Sequence, residues 1–207
     1  YATQGHWVGT EYGWAWVSDY PWGWAPFHYG RWDYDDDFGW YWSPDVEWAP
    51  AWVVWNRAPG YYGWAPMRPG IVINIILGGG YHSPWFWWTF CHDKYFGRRH
   101  IRNHYVSRRD NERILGESRV IEQSPGDNGR SKYLSGPNTN DVKATTGRSV
   151  STVKIEDNAK PGEMQSGTVW KLYRPSVEQV ATGAATPVPR KIETPTQVAP
   201  PARGQSS

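Results

Sequence analysis

Aromatic and smaller residues alternate along short stretches in the first third of the chain. Over residues 13–17, Trp14 and Trp16 fall on one side of an extended backbone, and Ala15 and Val17 fall on the other. A period of two residues is that of a β-strand with two different faces. The pattern therefore predicts a strand whose tryptophans share one face.

Turn residues separate these alternating stretches. Residues 18–21 (Ser-Asp-Tyr-Pro) contain the Asp and Pro that β-turns favour, and Trp22 and Trp24 alternate again after them. Pro26 ends this second stretch, because proline cannot donate a hydrogen bond to a strand ladder. The sequence therefore predicts a β-hairpin with its turn at residues 18–21.

The hairpin pattern repeats with a period of about 25 residues. The matching segments are Gly-x-Trp at 5–7 and 30–32, Gly-Trp-x-Trp at 13–16 and 39–42, and Trp-Ala-Pro at 24–26, 48–50 and 64–66. Repeats of this kind bury their apolar faces by stacking on their neighbours. We therefore predict an all-β fold of stacked short hairpins over residues 1–110.

The segments after the repeats predict further strands and then a tail. The apolar run 71–77 ends in three glycines and predicts a buried strand, and the Trp-rich residues 81–90 predict another. Residues 91–113 predict a short helix or a loop. Residues 111–207 are rich in Ser, Pro, Thr, Asn and Gly, so we expect a largely disordered tail with one short ordered motif at 168–175.

Long aromatic motifs give the chain a family resemblance. Tyr-Gly-Trp-x-Trp-Val-Ser at 12–18, Pro-Trp-Gly-Trp-Ala-Pro at 21–26 and Gly-Trp-Ala-Pro at 63–66 resemble a family of Trp-rich exported bacterial domains of unknown function. Those domains carry a Tyr-x-Trp-Gly-x-Trp signature and often follow a FecR-like module. The resemblance covers about residues 1–110 and implies export to the periplasm or cell envelope. It implies no reaction and supplies no catalytic residue.

The chain begins at Tyr1, inside a repeat, so we expect its signal sequence to be missing from this chain. Its single cysteine excludes a disulfide within the chain. Because no apolar run reaches 18 residues, we predict no transmembrane segment.

Charge is unevenly distributed although the formal net charge is +2. Acidic residues predominate over residues 1–69, which disfavours a nucleic-acid partner, and basic residues predominate over 94–113. The basic segment is either a solvated surface or a contact for an anionic envelope surface. The arginines that would make that contact are Arg98, Arg99, Arg102, Arg108 and Arg109.

Two interpretations of the 16 tryptophans stay open. The rings form the core of a sheet protein that is poor in Leu, or exposed rings stack on sugars beside carboxylates that accept hydrogen bonds from sugar hydroxyls. Rings next to proline are the candidates for the second role. The candidate ligand-binding residues are Trp24, Trp48, Trp64, Asp19, Asp45 and Glu47.

We predict neither a cofactor nor a metal site. His100 and His104 would share one face of a helix, with Cys91 as a third ligand, but the surrounding arginines oppose a cation. The acidic run 33–37 lacks the Gly and Glu that an EF-hand loop requires at fixed positions.

The sequence favours a non-enzymatic cell-envelope protein that acts as a structural or interaction module, with an envelope protein or a glycan as its partner. The alternative is a carbohydrate- or peptidoglycan-binding module with exposed Trp platforms. A glycoside hydrolase is the third reading. Asp45 and Glu47 would then lie on the same face of one strand, whereas catalytic carboxylates flank the scissile bond.

Overall fold

Three consecutive β-hairpins form the first part of the fold. They pair β1 (Gly5–Thr10) with β2 (Gly13–Ser18), β3 (Tyr29–Asp35) with β4 (Gly39–Trp48), and β5 (Val53–Ala58) with β6 (Tyr61–Pro66). The structure is a computed structural model that describes residues 1–122 and 132–177. Strands predominate in several small sheets, so the prediction of an all-β fold is confirmed.

The first hairpin lies at a different position in the chain from the predicted one. The turn of the first hairpin lies at residues 11–12, not at 18–21, and residues 21–28 are turns rather than a strand. The Gly23 amide donates to the Tyr20 carbonyl at 3.0 Å, and the Ala25 amide donates to the Trp22 carbonyl at 3.2 Å. Pro21 and Pro26 flank this segment, which explains why its alternating tryptophans do not extend into a ladder.

Each hairpin places two tryptophans directly opposite one another. The cross-strand pairs are Trp7 with Trp16, Trp32 with Trp42, and Trp55 with Trp64. In the first hairpin the two ring centroids are 5.1 Å apart, and in the third they are 5.9 Å apart. Such pairs stabilise a sheet by about 0.2–1 kcal/mol each beyond simple backbone pairing.

The first hairpin is buried on both faces. Trp7, Trp14 and Trp16 belong to the main aromatic core, together with the third hairpin. On the opposite face, Val8, Ala15 and Val17 pack with Val153, Ile155, Trp170 and Leu172 in a second core. The predicted division of this strand into a Trp face and an Ala/Val face therefore matches the packing.

The third hairpin belongs to a four-stranded sheet, and the segment that follows it in the chain differs from the prediction. β7 (Thr89–His92) pairs with β6, and β8 (Arg119–Val120) pairs with β5, so both edges of the hairpin are occupied. The apolar run 71–77, predicted as a strand, instead contains a short helix, α1 (Ile73–Leu77), whose Ile73 and Ile76 are buried. Trp85–Trp87 forms a 3-10 turn rather than a strand.

The folded domain extends well beyond residue 110. Helices α2 (Asn111–Gly116) and α3 (Thr139–Thr146) are followed by β9 (Lys154–Asp157), β10 (Glu163–Ser166) and β11 (Val169–Leu172). The compact unit runs from Tyr1 to Val177, which corrects the predicted boundary at 110 and the predicted disorder of residues 132–177. The part of the predicted tail at 178–207 lies outside the described residues.

The C-terminal sheet consists of β9, β10 and β11 in the order β10-β11-β9. β11 coincides with the ordered motif predicted at 168–175, and it is the central strand of this sheet. Within residues 1–122 and 132–177, no helix is long and apolar enough to cross a membrane.

Candidate functional site

An aromatic groove lies where the second hairpin meets the turn Trp85–Trp87. It has a volume of about 380 Å³, and ten of its fifteen lining residues are aromatic. Trp22 is 52% exposed, Trp40 is 42% exposed and Phe86 is 36% exposed, so these three rings present faces to solvent. A concave site of this size and apolarity is typical of small-molecule binding.

One wall of the aromatic groove is a row of nearly parallel rings. Tyr20 and Trp22 stack with centroids 4.4 Å apart and an interplanar angle of 12°. Trp22 and Phe27 follow at 6.4 Å, and Phe27 and Trp32 at 6.1 Å. The Trp32 indole donates its Nε1 hydrogen to the Pro26 carbonyl at 2.8 Å, which fixes the last ring of the row.

A second group of rings joins the second hairpin to the Trp85–Trp87 turn. The rings of Trp40 and Trp87 lie 5.2 Å apart, and Tyr34 on β3 contacts Phe86 edge to face at 5.8 Å. The Arg68 guanidinium lies 5.3 Å from the Trp87 ring and also pairs with Asp33 at 3.0 Å. These contacts hold the exposed rings in a fixed arrangement.

Charge is nearly absent from the aromatic groove. Arg108 is the one charged side chain among the described lining residues, and Thr3 and Thr89 supply hydroxyls. No aspartate or glutamate belongs to that lining. The groove can therefore stack against and orient a ligand, but its own lining offers no carboxylate for acid–base chemistry.

Of the three tryptophans that the sequence singled out for ligand binding, Trp64 lines the aromatic groove, whereas Trp24 and Trp48 lie elsewhere. Trp64 is 1% exposed and donates its Nε1 hydrogen to the Tyr1 carbonyl at 2.7 Å, so it lines the groove without an open face, which corrects the prediction. Trp24 and Trp48 are partly buried against the second core. Tyr173 contacts Trp24 edge to face at 4.8 Å, and the Arg174 guanidinium lies 5.0 Å from the Trp48 ring.

The predicted acidic residues also lie outside the aromatic groove. Asp19 and Asp45 are exposed, and Asp45 accepts a hydrogen bond from the Val46 amide at 2.6 Å. Glu47 pairs with Lys132 at 3.0 Å. None of the three lines the groove.

The five arginines that the sequence proposes as an anionic-surface contact are all exposed. The Arg98 guanidinium lies 5.2 Å from the Tyr95 ring, and Arg108 lines the aromatic groove. None of the five forms an ion pair with a residue that the structure describes. These residues are Arg98, Arg99, Arg102, Arg108 and Arg109.

The three metal-ligand candidates do not converge. Ile101–His104 is a 3-10 turn, so His100 and His104 do not share a face as they would on an α-helix, and the His104 ring stacks on Tyr95 at 3.9 Å. Cys91 is buried, and burial raises the pKa of its thiol. In the described part of the chain, no three His, Cys, Asp or Glu side chains are grouped as metal ligands.

The comparisons with known proteins bear on the hairpins alone. Residues 1–71 match a family of unknown function (DUF6600), and this segment contains all three hairpins. No curated protein and no solved structure matches the chain. The chain is thus similar, over about its first third, to a family that has no assigned function.

Sequence reasoning missed the rings that the groove exposes. None of Trp22, Trp40 and Phe86 is among the ligand-binding residues that the sequence predicts. Trp22 directly follows Pro21, so proline before an aromatic residue was an available signal for one of the three rings. The same signal at Pro84 indicates Trp85, which does not line the groove. By contrast, the predicted ligand-binding rings Trp24, Trp48 and Trp64 stand two residues before a proline, in Trp-Ala-Pro segments.

Proposed function

We propose that this chain is a non-enzymatic interaction module of the bacterial cell envelope that binds a glycan in its aromatic groove. The observation that carries the proposal is the set of three solvent-facing rings, Trp22, Trp40 and Phe86, in a groove with one charged lining residue. Aromatic faces bind the C–H faces of sugars, while Arg108 and the groove hydroxyls supply hydrogen bonds to sugar oxygens.

Binding is favoured over hydrolysis by the placement of the carboxylates. Glycosidases need two carboxyl groups on either side of the scissile bond, about 5–9.5 Å apart. No carboxylate belongs to the described lining of the aromatic groove, and Glu47 is paired with Lys132. If the chain were a glycosidase, it would have a measurable activity that Asp45→Ala or Glu47→Ala removes. We expect no such activity in the wild-type chain.

The envelope location rests on the resemblance of the Trp-rich motifs to exported bacterial domains. Fractionation of cells that express the full gene should place the protein in the periplasmic or envelope fraction. Recovery in the cytoplasmic fraction, beside a cytoplasmic marker enzyme, would contradict this part of the proposal. An envelope protein as a further partner stays a prediction.

The glycan proposal is tested by titrating the chain with peptidoglycan fragments and other cell-wall polysaccharides. We expect saturable binding by calorimetry, and Trp40→Ala should weaken it by about tenfold or more, as for loss of a buried aromatic contact. Trp85→Ala is the matched control, because Trp85 is 40% exposed but does not line the groove. The control should change the affinity by less than about twofold.

Two results would overturn the glycan proposal. The first is the absence of binding to every polysaccharide tested, with a chain shown to be folded by its circular dichroism and thermal transition. The second is an equal loss of affinity in Trp40→Ala and Trp85→Ala, which would mean that the groove does not determine binding.

A further inference from the structure

A second cavity, which we call the arginine pocket, lies along the β1 edge of the first hairpin. It has a volume of about 290 Å³ and shares no lining residue with the aromatic groove. Its walls come from β1, the loop around Arg99, the loop after α3 around Arg148, and the turn between β10 and β11. The ordered C-terminal part of the chain therefore completes this cavity.

The arginine pocket is positively charged and has no acidic lining residue among those described. Arg99 and Arg148 both line it. Arg148 donates from Nη2 to the Phe96 carbonyl at 3.0 Å, which anchors its guanidinium at the wall. Arg99 forms no hydrogen bond or ion pair with a described residue. A guanidinium has five N–H donors in a fork that suits oxyanions, so most of the donor capacity of both side chains is available.

Uncharged donors surround the two arginines. Ser149, Ser151 and Thr168 also line the pocket, and their hydroxyl groups form no hydrogen bond with a described residue. Two arginines and three hydroxyls provide more donors than the two oxygens of a carboxylate need. The set suits a phosphate group, which presents more acceptor oxygens.

The pKa of a buried histidine in the same pocket responds to the positive charge of Arg99. His6 is 6% exposed, and its Nε2 hydrogen-bonds Gln165 Oε1 at 3.0 Å. Burial lowers the pKa of His6, and the nearby charges of Arg99 and His100 lower it further, against the opposing effects of Gln165 and Asp19. An anion held by Arg99 would offset that positive charge and raise the pKa of His6.

We propose that the arginine pocket binds a phosphate group, through the guanidinium groups of Arg99 and Arg148 and the hydroxyls of the loop after α3. The phosphate comes either from a free inorganic ion or from a phosphorylated headgroup of the envelope surface. The apolar side chains of Val8, Val142 and Val153 in the lining leave room for the carbon atoms next to a bound phosphate. This inference does not depend on glycan binding in the aromatic groove.

The first experiment titrates the whole chain with inorganic phosphate and follows the amides of Gly97 and Gly167 and the ring of His6 by NMR. We expect saturable shifts at these positions, and Arg99→Gln should raise the Kd by about tenfold, the loss expected for a charge-assisted hydrogen bond. Arg98→Gln is the matched control, because Arg98 is an exposed neighbour that does not line the pocket.

Two outcomes overturn the proposal. One is the absence of a saturable shift in the folded wild-type chain at phosphate concentrations well above about 1 mM. The other is an equal weakening by Arg98→Gln and Arg99→Gln, because a diffuse surface charge, not a pocket, would then hold the ion. Retained chemical shifts of the second core in both variants serve as the check on folding.

A second experiment separates the two sources of phosphate. Vesicles of phosphatidylcholine with or without phosphatidic acid are sedimented with the chain, in the presence and absence of inorganic phosphate. Binding to phosphatidic acid that Arg99→Gln weakens and free phosphate displaces supports a headgroup ligand. Phosphate binding in solution without vesicle binding supports the free ion. Vesicle binding that Arg99→Gln leaves unchanged overturns the headgroup assignment.

Discussion

The first and second hairpins share one Trp pattern but use it in opposite ways. Trp14 on β2 and Trp40 on β4 occupy matching repeat positions, yet Trp14 is 3% exposed and Trp40 lines the open aromatic groove. Phe96 and Pro137 contact Trp14 on one face of the first hairpin and the C-terminal sheet covers the other face, whereas much of β4 stays exposed. A repeated sequence therefore supplies core rings in one copy and surface rings in the other, and the rest of the chain decides which.

The two hairpins should differ most in the stability that is lost when the matched tryptophans Trp14 and Trp40 are each replaced by alanine. We expect Trp14→Ala to lower the free energy of unfolding by about 3–5 kcal/mol, because it opens a core cavity. It also removes the hydrogen bond from Trp14 Nε1 to the Pro137 carbonyl. Trp40→Ala should cost less than about 1 kcal/mol. Urea denaturation of both variants measures the difference, and equal losses would contradict the comparison.

The cover over the first hairpin is tested on β11. Leu172 is fully buried in the second core, so Leu172→Ala should cost about 2–4 kcal/mol. Met164 on β10 is exposed, and Met164→Ala should change the stability by less than about 0.5 kcal/mol. Urea denaturation measures both variants. If Leu172→Ala left the free energy of unfolding unchanged, the result would support a domain boundary near residue 110 instead.

A buried carboxyl group makes the same cover sensitive to pH. Glu163 on β10 lies beside Ser18 at the end of β2 and accepts a hydrogen bond from Trp170 Nε1 at 3.2 Å. Burial raises the pKa of Glu163 from 4.5 to about 8. The folded state therefore holds a proton that the unfolded state has lost, and stability should fall as the pH rises between these two values.

Substitution of Glu163 should remove that pH dependence. The slope is at most about 1.4 kcal/mol per pH unit, and Glu163→Gln should flatten it and raise the stability at pH 8 by about 1–2 kcal/mol. His28, whose pKa burial lowers from 6.5 to about 4, acts in the opposite direction below pH 6.5. Burial also lowers the pKa of the Tyr1 amino group from 8.0 to about 5, so this group opposes Glu163 up to pH 8. The change of slope between wild type and Glu163→Gln, measured between pH 6.5 and 8, therefore reports on Glu163, and an unchanged slope in the variant would refute its role.

The smallest effect should come from the residues before each Gly-Trp-x-Trp segment. Tyr12 packs against the second core and contacts Trp48 edge to face at 5.4 Å, whereas its repeat counterpart Phe38 is 88% exposed. Phe38→Ala should stay within about 0.5 kcal/mol of the wild type, and Tyr12→Ala should cost about 1 kcal/mol. Thermal denaturation of both variants and the wild type in one buffer measures the difference, and equal melting temperatures for the two variants would contradict it.

The local pattern of the chain was sufficient to predict the strand over residues 13–17 and its two faces, but not the strand with which it pairs. Alternation around Trp14 and Trp16 reflects side-chain geometry, which is a local property. The same alternation at Trp22 and Trp24 was misleading, because the flanking prolines favour turns. The apolar run 71–77 was ambiguous for a different reason: short apolar runs fit either a strand or a helix, and here the chain forms the helix α1.

The aromatic groove and the C-terminal sheet could not be predicted from local pattern. The groove brings together rings from residues 20–40 and 86–88, which only the tertiary packing makes neighbours. The C-terminal sheet has four-residue strands with few buried apolar side chains, Ile155, Trp170 and Leu172 among them. Its polar composition therefore resembled that of a disordered tail although these side chains complete a core.

The position of β11 in the chain also affects how the protein is made. The face of Val8, Ala15 and Val17 is synthesised early, but its cover on β11 follows about 150 residues later, which takes roughly 8–30 s at ribosomal rates of 5–20 residues per second. During that interval the first hairpin presents an unprotected apolar surface. Chaperone binding and aggregation should therefore be concentrated in chains that have not yet been completed through Leu172.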